Sequence, residues 1–170
     1  MAKKVRTNKA PKKVEKTKRI AKASKKAPGT LEATTTRTVT HILRLLPGQD
    51  LLREIEAYMQ RKDIKAGWIV TCVGSLTDVT LRYANCSAHE LHGHFEIVSL
   101  VGTLSQRGDS HLHLCLSDSK GRCVGGHLFR GSKVFTTAEI VIGESKDLEF
   151  IRAADGATEW EELRIIPRKK

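Results

Sequence analysis

The sequence predicts an α+β fold: a largely antiparallel β-sheet with one main helix and room for further short helices. Three observations lead there. Apolar runs of strand length, alternating or continuous, recur from residue 34 to residue 166. One segment alone has helical periodicity, and the links between runs are short and polar. Residues 1–35 lack this pattern and read as a disordered, Lys-rich tail, which leaves residues 36–167 as the folded domain.

The elements follow in order. A Thr-rich run, Thr34–Thr40, merges into His41–Leu46 as a first strand, ended by Pro47 and Gly48. Asp50 is placed to cap a helix whose apolar face is Leu51, Leu52, Ile55, Tyr58 and Met59. Its polar face is Arg53, Glu54, Glu56 and Arg61, and it ends near Lys62. Trp68–Val73 reads as a buried strand closed by Gly74, and Thr77–Tyr83 as a separate alternating strand. Ala88–His94 reads as a polar hairpin connection. Phe95–Leu104, His111–Leu116, Val134–Ile142, Leu148–Ala153 and Trp160–Ile166 complete the strands, with turns at Ser119-Lys120-Gly121 and Asp155-Gly156.

Charge divides the chain in two. The formal net charge is +11. Residues 1–30 hold twelve Lys or Arg and a single acid, Glu15, which already accounts for it, and the 18 bases and 18 acids that remain cancel. Between Ala2 and Gly29 the only aliphatics larger than alanine are Val5, Val14 and Ile20. That is too little apolar area to offset ordering costs of roughly 1–2 kcal/mol per residue. Its clusters, Lys3, Lys4, Lys12, Lys13, Lys16, Lys18, Arg19, Lys22, Lys25 and Lys26, suit non-specific, salt-sensitive contacts to nucleic-acid phosphates, or nuclear import. Lysine lacks the planar fork that reads guanine, so base recognition is not expected. A solubilising tail without a partner is the plain alternative. No secretory signal or membrane-spanning stretch is read, and the tail lacks the Arg-rich amphipathic character of a mitochondrial presequence.

Chemistry concentrates in the segment Gly108-Asp-Ser-His-Leu-His-Leu-Cys-Leu-Ser-Asp118. In a strand, His111, His113 and Cys115 share one face, with Leu112, Leu114 and Leu116 on the other, towards the core. Two imidazoles spaced about 7 Å apart along a strand can converge on one Zn²⁺ ion, with His127 of the next strand as third ligand. Asp109 and Cys123 are weaker candidates. The plain alternative is two histidines facing solvent. Nothing in the sequence supplies a base to activate Cys115 as a nucleophile. His89, His92 and His94 do not have the spacing of a helical zinc motif. The glycines form neither a P-loop nor a dinucleotide fingerprint and suit bulges and turns. Cys72, Cys86, Cys115 and Cys123 lack disulfide-framework spacing and read as reduced thiols, with Cys72 as core filler.

Six segments occur in a recognisable order: Leu43-Arg-Leu-Leu-Pro-Gly-Gln-Asp50, Gly74-Ser-Leu-Thr-Asp-Val-Thr-Leu-Arg-Tyr83, Gly93-His-Phe-Glu-Ile-Val-Ser-Leu-Val-Gly-Thr103, His111-Leu-His-Leu-Cys-Leu-Ser-Asp118, Gly125-Gly-His-Leu128 and Thr136-Thr-Ala-Glu-Ile140. From Arg37 to Ile166 the chain resembles the PPC (plants and prokaryotes conserved) domain family. The resemblance implies an antiparallel α+β domain that assembles as a homotrimer. In plants the domain accompanies an AT-hook in nuclear proteins and serves oligomerisation and partner binding. Single-domain members keep the histidine-rich strand, which strengthens a metal site at His111, His113 and His127. The AT-hook core Arg-Gly-Arg-Pro is absent, so A/T-specific minor-groove reading does not carry over. The expected function is a non-enzymatic oligomeric module in the nucleus (alternatively the cytoplasm), held on nucleic acid by its tail. The alternative is a metal-dependent small-molecule enzyme, or a ligand-binding domain, built on the histidine cluster.

Overall fold

The computed structural model describes residues 34–106 and 110–168. The basic clusters from Lys3 to Lys26, and Asp109, lie outside the described residues. The elements are β1 (Thr38–Leu45), α1 (Leu51–Arg61), β2 (Ala66–Arg82), β3 (Ala88–Ser105), β4 (His111–Ser117), β5 (Cys123–Leu128), β6 (Lys133–Ser145), β7 (Leu148–Ala154) and β8 (Glu161–Pro167). The fold is α+β, with every strand pairing antiparallel and α1 the one helix among the described residues.

Six strands form one sheet in the order β1-β6-β2-β3-β4-β5. The far end of β2 also pairs with β5, through Leu81↔Leu128 and Arg82↔His127, so β2, β3, β4 and β5 close on themselves. The β7–β8 hairpin is a separate sheet. It is joined to the first by Phe150 N–H donating to Lys65 O at 3.0 Å and by Ser105 Oγ donating to Phe150 O at 2.7 Å. A small apolar cluster of Ala66, Leu148 and Phe150, with Trp68, Leu163 and Ile165 against it, fills that junction.

The helix forms where its periodicity places it. Asp50 takes an extended backbone and its Oδ1 accepts from Arg53 N–H at 3.1 Å. Its other oxygen accepts from Gly131 N–H at 2.6 Å, so one buried carboxylate caps α1 and ties down the β5–β6 loop. Leu51, Leu52, Ile55 and Met59 enter a core shared with Leu43, Leu45, Ile140 and Ile142. Tyr58, half-buried, hydrogen-bonds His41 Nδ1 at 3.0 Å, and His41 Nε2 meets the fully buried carboxylate of Glu144 at 2.8 Å.

Two strand readings change. Trp68–Val73 and Thr77–Tyr83 are one 17-residue strand, β2, rather than two. Gly74 does not close a strand: it sits in an irregularity inside β2, at φ +144°, where the register against β6 shifts. A Cβ there would lie 2.0 Å from Thr137 O, so close backbone approach is what this position requires. Ala88–His94 is the first part of β3, paired with the end of β2 from Asp78↔His92 to Arg82↔Ala88, not a connection. Its residues are mostly exposed, so no apolar run announces it. The first strand also begins later than read, at Thr38.

Several apolar residues face outward. Ile42, Val70, Val73, Val98 and Val101 are all more than half exposed. Each adjoins in sequence a buried core residue, namely Leu43, Ile69, Cys72, Ile97 and Leu100, and alternation therefore points them away from the core.

Because Gly74 combines positive φ with backbone contact, Gly74→Ala is expected to destabilise the domain by roughly 1–3 kcal/mol. Urea unfolding measures this, and an unchanged midpoint would contradict the bulge assignment.

Candidate metal centre

The histidine site is set by β4. Its leucines, Leu112, Leu114 and Leu116, are at most 1% exposed and turn His111, His113 and Cys115 outward. On one side β4 pairs with β3, with Thr103 opposite His111 and Val101 opposite His113. Gly102 makes that pairing close: a Cβ on it, at φ +137°, would lie 1.9 Å from His111 O. On the other side β4 pairs with β5, and His113 stands directly opposite His127.

The three imidazoles therefore converge. Ring centroids lie 5.0 Å apart for His111–His113, 5.3 Å for His111–His127 and 5.7 Å for His113–His127. One nitrogen from each lies within 4.8 Å of the others, and His111 Nε2 is 3.2 Å from His113 Nε2. Two nitrogens bound at 2.0–2.1 Å to a tetrahedral zinc ion would stand about 3.3–3.4 Å apart, so this pair already has the separation a shared ion needs. His111 and His113 are exposed and His127 is half-buried. Burial holds His111 below the ordinary imidazole value, and the positive charge of Arg152 acts in the same direction. Both favour the neutral ring, which is the ligating form.

Charged side chains flank the cluster. Arg152 of β7 donates from Nη2 to Thr103 Oγ1 at 3.2 Å, beside His111. Its Nη1 lies 4.0 Å from Glu162 Oε2 of β8. Arg82, at the end of β2, is the register partner of His127. The sequence does not signal Arg82, Arg152 or Glu162. They become neighbours of the histidines only through the β2–β5 closure and the placement of the β7–β8 hairpin.

The remaining sequence candidates separate from this site. His89 stacks on Tyr83 with centroids 4.8 Å apart, His92 Nδ1 is 2.8 Å from Asp78 Oδ1, and His94 stacks on Phe135 at 4.2 Å. Each thus has its own partner. Among the described residues, His111, His113 and His127 are the one group of three that could hold a metal ion. All four cysteines are free thiols. Burial, and then the neighbouring Cys123, push the Cys115 thiol up, opposite to what an activated nucleophile needs. Burial pushes Cys72 up to about 12. No helix of the described residues is long and apolar enough to cross a membrane.

Comparison with known proteins gives a consistent family. The Plants and Prokaryotes Conserved (PCC) domain model matches residues 32–146. The bifunctional protein GlmU of Synechococcus sp. (strain JA-2-3B'a(2-13)) is 44% identical over 126 residues, covering 74% of this chain and 20% of that protein. The AT-hook motif nuclear-localized protein 29 of Arabidopsis thaliana is 30% identical over 104 residues, 52% of this chain and 34% of that protein. The chain therefore spans a fifth to a third of the length of these relatives. A solved structure of a protein from Salmonella cholerae-suis is similar with a TM-score of 0.79 and 42% identity, covering 81% of this chain and 100% of that one. A metal-containing protein from Archaeoglobus fulgidus is similar with a TM-score of 0.71 and 27% identity, covering 79% and 99%.

The thiols give a check on the packing. Cys72 is buried, whereas Cys86 and Cys123 are exposed. With its thiol at about 12, Cys72 stays protonated and shielded at pH 8. Maleimide labelling followed by mass spectrometry is expected to modify Cys86 and Cys123 in the native protein and Cys72 only after unfolding. Labelling of Cys72 at the rate of the other two would contradict its place in the core.

Proposed function

The chain belongs to the Plants and Prokaryotes Conserved domain family, and from that premise we propose that it is an oligomeric, metal-binding module attached to nucleic acid by its basic N-terminal segment. The observation that carries the proposal is the convergence of His111, His113 and His127, three imidazole donors from two paired strands. Their number and type suit Zn²⁺ in a tetrahedral site with three protein ligands. The metal-containing relative from Archaeoglobus fulgidus supports the same reading.

The homotrimer rests on the outward apolar residues Ile42, Val70, Val73, Val98 and Val101, which association with further copies would remove from water. Nucleic-acid binding rests on residues 1–30, whose twelve Lys or Arg and single acid contrast with a charge-balanced remainder. Three tails on one trimer would act together, so weak phosphate contacts would add in avidity. The Arabidopsis relative supports residence in the nucleus and the Synechococcus one a bacterial setting. The proposal is therefore placed on the nucleic acid rather than on one compartment.

The leading form of this reading is non-enzymatic. The second is a metal-dependent enzyme, favoured by the exposure of His111 and His113. A three-histidine set leaves the fourth zinc position open, where a bound ion would supply Lewis acidity or an activated water. The chain's own contribution is to orient three rings from paired strands and, through burial and Arg152, to favour the unprotonated form of His111.

Two outcomes test the proposal. In competition with a chromogenic chelator, His113→Ala is expected to lower zinc affinity by about 100-fold or more, while His92→Ala leaves it unchanged. Equal affinity in the two variants would remove His113 from the site. Sedimentation of the full chain is expected to give three times the 18.9 kDa chain mass. Deleting residues 1–29 should preserve that mass and abolish retention of duplex DNA at low salt. Undiminished retention would refute the tail's role, and a monomeric mass would refute the trimer.

A further inference from the structure

We propose that the histidine centre receives an oxyanion, a phosphate or carboxylate group of a small ligand, gripped between Arg82 and Arg152. This inference rests on the metal-centre reading and adds the ligand class.

The two arginines approach the histidines from opposite sides. Arg82 stands directly opposite His127 in the β2–β5 pairing. Directly opposed residues share a face, with Cβ atoms about 4.5–5.5 Å apart. Arg152 reaches in from β7 and rests on Thr103, which stands directly opposite His111. The order across this surface is therefore Arg82, His127, His113, His111, Thr103 and Arg152.

The charge of the site is incompletely balanced. Arg152 has a side chain only 10% exposed, yet its nearest carboxylate, on Glu162, is 4.0 Å away. A charge-assisted hydrogen bond is about 2.7–2.9 Å long, so that pairing leaves the guanidinium with donors to spare. Among the described residues no carboxylate pairs with Arg82. The three imidazoles are neutral as ligands and bring no negative charge to a bound dication. Two guanidiniums and a divalent ion would then face the single carboxylate of Glu162. A cationic ligand is disfavoured by this field, and a neutral aliphatic one leaves it uncompensated. An oxyanion answers it: one oxygen takes the open metal position and the others accept from the guanidinium forks, whose planar geometry matches phosphate and carboxylate.

The test uses the full chain loaded with Co²⁺, whose visible absorption reports its coordination, titrated separately with inorganic phosphate and with succinate. A saturable spectral change with at least one of them is expected, and which one responds assigns the group. Arg82→Gln should bind the responding anion about tenfold more weakly while taking up the same amount of cobalt. Arg152→Lys, which keeps the charge without the fork, should weaken it less than Arg152→Gln. Absence of cobalt uptake overturns the metal reading and this inference with it. Cobalt uptake with no response to either anion overturns this inference alone. So does an anion response of equal affinity in Arg82→Gln, Arg152→Gln and the parent, because the anion would then meet only the metal.

Discussion

Strand β4 is held between β3 and β5 in one register, with Leu112, Leu114 and Leu116 inside, and the histidine site depends on that register. Fully burying a leucine is worth about 1.5–3 kcal/mol, so three of them fix which face of β4 looks outward. A slip of one residue would bury His111 and His113 and expose all three leucines. The same register places His113 opposite His127 and Thr103 opposite His111. Closure of β5 onto β2 then brings Arg82 to the far side of His127. Apolar burial thus positions polar chemistry it does not touch.

Two kinds of surface follow from the way the sheet is built. The face of β1, β6 and β2 covered by α1 is closed off by Leu51, Ile55 and Met59. Outward positions on β1, β2 and β3 include Ile42, Val70, Val73, Val98 and Val101. The histidine row lies next to these, since Val101 is the register partner of His113. The tail's charge has no counterpart in the rest of the chain, where 18 bases and 18 acids cancel.

Much of this was legible in the sequence, for local reasons. The helix and its Asp50 cap follow from periodicity and from a side chain able to accept an orphan N–H. The outward histidines follow from strict alternation over six residues, and the family from the order of six segments. What was not legible depends on pairing. Gly74 reads as a strand end because a glycine in a bulge and a glycine in a turn look alike in sequence. Ala88–His94 lacks an apolar stripe because only Leu91, opposite Val79, is a large apolar residue, while His89 stands opposite Leu81. Arg82 and Arg152 are 45 and 25 residues from His127, and only closure of the sheet and docking of the hairpin make them neighbours of one site.

The central claim is that three imidazoles from two paired strands hold one metal ion. X-ray absorption at the zinc edge, on the full chain saturated with one equivalent of Zn²⁺, tests it most directly. The account predicts three imidazole nitrogens at about 2.0–2.1 Å, with outer-shell ring scattering and one lighter oxygen ligand. A shell of oxygens without imidazole scattering, or sulfur at about 2.3 Å from Cys115 or Cys123, would contradict it.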